Sequence, residues 1–141
     1  VHEDRLTSWM GHPFFRQGYP KSLDRYDFSA KLAEGLSLED GAATLTAFSA
    51  AAVASGLSLL PKPVQKVVVC GGGRLNPVLM RELNERCAAP VEIAEDQGWR
   101  GDSIEAEAFA LLAVRSVRGM PLSFPGTTGV PEPLSGGKLI S

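Results

Sequence analysis

Cysteine is scarce in this chain: Cys70 and Cys87 are the only two in 141 residues. They are too few for a disulfide framework and do not form a C-x-x-C pair. His2 and His12 have no partners at metal-ligand spacing, so no structural metal is expected. Charge of one sign is lacking too. The formal net charge is -2, with 7 basic and 7 acidic residues through Lys66 and 7 and 9 beyond it. Nucleic acid therefore has no basic stripe to grip, and no such partner is expected. Uninterrupted apolar runs such as Ala50–Ala54 fall far below the roughly 18 apolar residues that cross a bilayer, so no membrane span is expected. The first residues, V-H-E-D-R, lack the basic and then apolar order of a signal peptide, which makes a reducing cytoplasm the expected setting. The start at a valine suggests a processed chain or a piece of a longer one. No G-x-S-x-G elbow occurs, and the two histidines have no triad context.

What is present is enough apolar residue, 44%, for one compact domain spanning 1–141 and not for two. Leu6, Trp9 and Met10 stand at helical spacing. Residues 11–28, punctuated by Pro13 and Pro20, read as a loop lying on the domain. Ser37-Leu38-Glu39-Asp40 opens a helix, with Leu38, Leu45, Phe48 and Ala52 on one face and Gly56 at its end. The β-branched run Lys66–Cys70 predicts a strand covered on both faces in a parallel sheet. After three glycines, Asn76 and Pro77 start a helix that turns Leu79, Met80, Leu83 and Cys87 inward. Val91–Ala94 follows as a second strand, and this β-turn-α-β order implies a parallel crossover and an α/β layer. A third helix from Asp102 should bury Ala108, Phe109, Leu111 and Leu112, and stop at Gly119 and Pro121. Trp9 and Trp99 read as packing residues. The tail from Leu122 onward reads as a meandering coil.

Three places could carry chemistry. The turn Gly71-Gly72-Gly73 between a strand and a capped helix lets backbone N–H groups approach a phosphate, with Asn76 at the helix head. Glycines that merely reverse the chain would look the same. It is neither a G-x-x-x-x-G-K-[ST] loop nor a G-x-G-x-x-G fingerprint. Asp102 and Glu105 stand at a loop-to-helix junction, where a carboxylate could meet a sugar hydroxyl or a metal-nucleotide; D-x-x-E is also the pattern of a capping box. Lys21, Ser22 and Arg25 could meet an anion or simply face water.

Taken together, His12-Pro13-Phe14-Phe15, Pro20-Lys21-Ser22, Val68–Pro77 with Leu79-Met80, Gly101–Ala106 with Ala108-Phe109-Ala110, Leu122–Pro125 and Thr128-Gly129 occur in a familiar order. The chain resembles the C-terminal part of anhydro-N-acetylmuramic acid kinase. The resemblance implies an α/β lobe of the actin-like ATPase (ribonuclease H-like) kind, one of two around a cleft for ATP with magnesium. It implies that the full enzyme opens the 1,6-anhydro ring of a peptidoglycan-derived sugar with water and phosphorylates the 6-hydroxyl. By position, Gly71, Gly72, Gly73 and Asn76 would lie on the nucleotide side. Glu105 would bind sugar, Asp102 would support the junction, and Lys21 and Ser22 match a family loop. That loop departs from the family pattern at Leu23-Asp24 and Tyr26, and the stretch from Val130 to Ser141 is expected to have no close counterpart in it. The phosphate loop and general-base aspartate would belong to a missing N-terminal lobe, so the chain alone should hold no catalytic residue and be inactive. The alternative is a non-catalytic module that binds nucleotide or assembles, for example as a homodimer. Either reading requires Gly72 and Glu105 to share one edge of the layer.

Overall fold

The computed structural model describes residues 1–18, 21–24 and 26–140. Pro20 and Arg25, both named in the loop reading, lie outside the described residues. The helices are α1 (Glu3–Met10), α2 (Leu38–Ser58), α3 (Pro77–Arg86), α4 (Ile104–Val117) and the single turn α5 (Pro125–Thr128). Two strands, β1 (Val67–Val69) and β2 (Val91–Ile93), pair in parallel with Val67 opposite Val91 and Val69 opposite Ile93. The α/β class and the β1-α3-β2 crossover match the expectation.

α2 organises the domain. Ser37 caps it, its hydroxyl accepting from the Asp40 amide at 3.1 Å, and Glu39 and Asp40 complement the positive end of the helix dipole. The same hydroxyl holds the Asp40 carboxyl below its ordinary value. Small residues let neighbours approach closely: Ala47 and Ala50 are fully buried, and a Cβ on Gly41 would stand 3.2 Å from that of Ala33. One side of α2 meets α1 through Leu6, Trp9, Ala47 and Phe48. Another meets α3 and the sheet through Ala50, Leu83 and Val91. By length and composition α2 could also cross a bilayer, so apolar run length was too strict a test. In this fold it is the core helix.

The segment from 11 to 28 contributes more than a surface loop. Pro13–Arg16 forms a 3-10 turn capped by His12, and it drives Phe15 into the core. Phe15 stacks on Phe28 at 5.7 Å between ring centres, and both meet Phe48 edge-on. Such aromatic pairs add stabilisation beyond the area they bury. Arg5 ties down the second 3-10 turn, Ala30–Ala33, by donating to the carbonyls of Leu32 and Glu34.

Five expectations fail. Leu38 is exposed: it stands in the first turn of α2 and belongs to neither core cluster. The helix runs past Gly56 to Ser58, since a glycine without a positive φ need not stop it. β1 is half-buried: Val67 and Val69 pack with α3, while among the described residues no helix seals the other face, where Lys66 pairs with Glu92 at 2.9 Å. Among the described residues α4 has no buried side chain; Phe109 is 64% and Leu111 61% exposed, Ala108 is open and Leu112 only partly covered. Trp99 is likewise exposed, whereas Trp9 is buried as expected. α4 does stop near Gly119, which takes the left-handed φ of 63°. The tail holds α5 and one antiparallel bridge, Ser123 to Leu134.

Candidate functional site

The carboxyl end of β1 is where a ligand is expected in an open α/β layer. Here the chain leaves Val69, passes exposed Cys70 and turns at Gly71, whose φ of 71° is a left-handed conformation that disfavours a side chain. Gly72–Leu75 continues as a 3-10 turn, and Asn76 then caps α3, its Oδ1 accepting from the amides of Val78 at 3.0 Å and Leu79 at 3.2 Å. A Cβ at Gly71 or Gly72 would meet nothing within 4 Å, so the outer side of the turn lies open. At Gly73 it would come within 3.3 Å of Leu79, which places that glycine against α3.

The turn is bound to the later junction by Arg74, whose side chain is only 4% exposed. Its Nη1 donates to the Gly71 carbonyl at 2.9 Å and to Asp102 Oδ1 at 2.7 Å. Its Nε reaches both oxygens of Glu95 at 3.0 Å, and Nη2 reaches Glu95 Oε1 at 2.7 Å. A planar guanidinium with several fixed donors suits this forked arrangement. The Gly71 amide in turn donates to the Gly101 carbonyl at 3.0 Å. Gly101 must be small: a Cβ there would lie 2.7 Å from Glu95 Oε1 and 2.8 Å from Arg74 Cζ, and would overlap Arg74 Nε.

These contacts set the charge state. Hydrogen bonds that Arg74 donates to Asp102 and then to Glu95 hold its guanidinium charged above its ordinary value. In return, the Arg74 hydrogen bond lowers both Glu95 and Asp102 below the usual carboxylate range. Of the two readings of D-x-x-E, the capping box is not formed. Ser103 occupies the cap position with no side-chain bond, and the Asp102 carboxylate goes to Arg74.

Gly71, Gly72, Gly73, Asn76 and Asp102 are thus gathered at one end of the sheet. Glu105 joins them one turn later, exposed in the first turn of α4 and engaged by no hydrogen bond or ion pair among the described residues. Arg74 thus brings the glycine turn and Asp102 to one edge of the layer, and Glu105 stands three residues further along the chain. Arg100 extends the junction by pairing with Glu107. Lys21 and Ser22 stand elsewhere. Lys21 donates to the Phe14 carbonyl at 2.8 Å with its ammonium over the Phe14 ring. With Ser22 it lines a cleft of about 530 Å³ closed by Thr127, Thr128 and Gly129, so two of the familiar segments meet there rather than at the glycine turn.

The sequence reading overlooked Arg74, Glu95 and Gly101. An arginine between a glycine turn and a helix cap was the available signal, but its partners lie 21 and 28 residues away and only the fold brings them in.

The fold and site define an α/β unit in which a glycine turn and an acidic helix head are joined at the carboxyl end of a parallel strand pair. A family model for anhydro-N-acetylmuramic acid kinase matches residues 1–141, and the chain belongs to that family. It is 57% identical over 139 residues to the anhydro-N-acetylmuramic acid kinase of Rhizobium rhizogenes, and 57% over 139 residues to that of Mesorhizobium japonicum. The Brucella anthropi kinase is 54% identical over 140 residues. Each match takes in 99% of this chain and 38% of the relative. The chain thus spans well under half the length of these relatives. These shares fix how much of each relative is matched, and the C-terminal placement expected from the sequence is not among what they show.

Proposed function

We propose that the chain forms one wall of the nucleotide and sugar cleft of an anhydro-N-acetylmuramic acid kinase, acting in the cytoplasm, where its exposed Cys70 thiol would stay reduced. The observation that carries this reading is the union, through Arg74, of the open glycine turn and the acid-headed α4. Backbone N–H groups of Gly71–Gly73 would face the phosphates of ATP, and the open space above Gly71 and Gly72 fits their approach. The free carboxylate of Glu105 would accept from a sugar hydroxyl, with Asp102 holding the head of α4 in place. Magnesium would come with the nucleotide and neutralise phosphate charge. Among the described residues no three carboxylate, histidine or cysteine side chains gather to hold it, so phosphates and groups outside this chain would complete its shell. Lys21 and Ser22 would steady an anionic part of a ligand in their own cleft.

Phosphoryl transfer depends on positioning and charge stabilisation around the whole nucleotide. One wall should therefore bind weakly and turn over nothing. The reaction proposed for the complete protein is addition of water across the 1,6-anhydro bond with transfer of the γ-phosphate to the 6-hydroxyl, giving N-acetylmuramate 6-phosphate. The exposed apolar residues of α4 would be covered by the remainder of the longer kinase. Titration of the 141-residue chain with Mg-ATP and with anhydro-sugar tests the reading. Weak nucleotide binding without sugar-dependent turnover is expected; turnover by the isolated chain would refute the single-wall claim. The same apolar face favours a second reading, a non-catalytic assembly module. A stable homodimer in sedimentation equilibrium together with no nucleotide binding would select it.

A further inference from the structure

We propose that Arg74 is a positioning residue that locks the glycine turn to the head of α4 and screens two carboxylates from the phosphate side. The inference rests on the nucleotide reading of the turn. Gly71 is held from both directions, its N–H by Gly101 and its carbonyl by Arg74, so the turn cannot shift without moving the 101–105 junction. One side chain thereby sets the spacing between the turn and Glu105. It also sets the local charge. Glu95 and Asp102 both lie against Arg74, and without the guanidinium two uncompensated negative charges would stand beside the amides meant for phosphate. Gly101 belongs to the same device, since any side chain there would displace Arg74 from Glu95. Lysine at position 74 would keep the positive charge but not the fork that meets Gly71, Glu95 and Asp102 together.

The test compares wild type, Arg74→Met, Arg74→Lys and Asp102→Asn in the 141-residue chain by Mg-ATP titration, thermal melting and amide exchange at Gly71. Asp102 is exposed, so its asparagine variant keeps the fold even where Arg74→Met does not. Mg-ATP affinity should fall at least about tenfold in Arg74→Met, which leaves both carboxylates uncompensated, and Gly71 exchange should quicken in Arg74→Met and Asp102→Asn alike. Arg74→Lys should recover melting temperature but little of the affinity or the Gly71 protection, a split that general stabilisation does not produce. A folded Arg74→Met chain that binds Mg-ATP as wild type does, or Gly71 protection left unchanged by Asp102→Asn, would overturn the proposal. Should wild type itself fail to bind, the nucleotide reading is lost; the lock is then judged on Gly71 exchange alone, and protection unchanged by Arg74→Met or Asp102→Asn removes it as well.

Discussion

α2 and α4 are both apolar helices rich in alanine, and they have opposite fates. α2 buries Thr44, Ala47, Phe48 and Ala50 between α1 on one side and α3 with the sheet on the other. α4 carries Phe109, Leu111, Val114 and Val117 to the surface and is attached at its head by the Arg74–Asp102 pair and at its end by polar bonds to the tail. One such bond runs from Ser116 to the Gly136 carbonyl at 2.6 Å, another from Arg115 to the Pro121 carbonyl at 2.7 Å. The contrast teaches that an apolar face states a need for cover but not where the cover comes from. α2 finds its partners within 141 residues. α4 would find them in the rest of a longer protein.

The largest effect should fall on the covered helix. Phe48→Ala removes the ring shared by Trp9, Phe15 and Phe28 and should cost about 3–5 kcal/mol in urea denaturation. Ala50→Leu, forced between α2 and Leu83, should cost roughly 1–3 kcal/mol by overpacking. Asn76→Ala deletes the cap of α3 and should cost about 1 kcal/mol, read from the same curves.

Acid sharpens the comparison at the attachment of α4. The folded carboxyl values of Glu95 and Asp102 are depressed, so their stabilisation is present above the ordinary values of 4.5 and 3.8 and is lost as pH falls through the lower folded ones. The protection of the Gly71 amide, measured against the unstructured exchange rate at each pH, should hold steady from neutral pH to about 5 and fall below about 4, and Asp102→Asn should flatten that profile. The smallest effect belongs to the open helix. Phe109→Ser should change the stability of the isolated chain by less than about 0.5 kcal/mol. A cost equal to that at Phe48 would break the comparison.

The local grammar of the chain was readable wherever neighbours in sequence decide the outcome. Ser37 and Asn76 start their helices through their own oxygens, and Val67–Val69 and Val91–Ile93 pair in parallel because a helix of the right length separates them. Legibility ended where distant segments decide. Phe15 and Phe28 enter the core because α2 presents Phe48 to them, which no spacing within 11–28 reveals. Leu38, Trp99 and Phe109 are exposed because burial depends on what lies opposite a residue as well as on its type. The site was half legible. The glycine turn and the acids were visible as separate motifs, but the residue that unites them was passed over. That Lys21 and Ser22 line a cleft with Thr127, Thr128 and Gly129, about a hundred residues on, was not legible from spacing.

The two tryptophans fall on either side of this division. Trp9 is packed against Phe48, while Trp99, 55% exposed, precedes Arg100 and Gly101 in the loop beside Arg74. Intrinsic fluorescence should accordingly resolve into a blue-shifted component that dissolved quenchers scarcely touch and a red-shifted one that they extinguish readily. A chain carrying Trp9→Phe would emit from the second alone, giving an optical window on the loop beside Arg74 without any added dye.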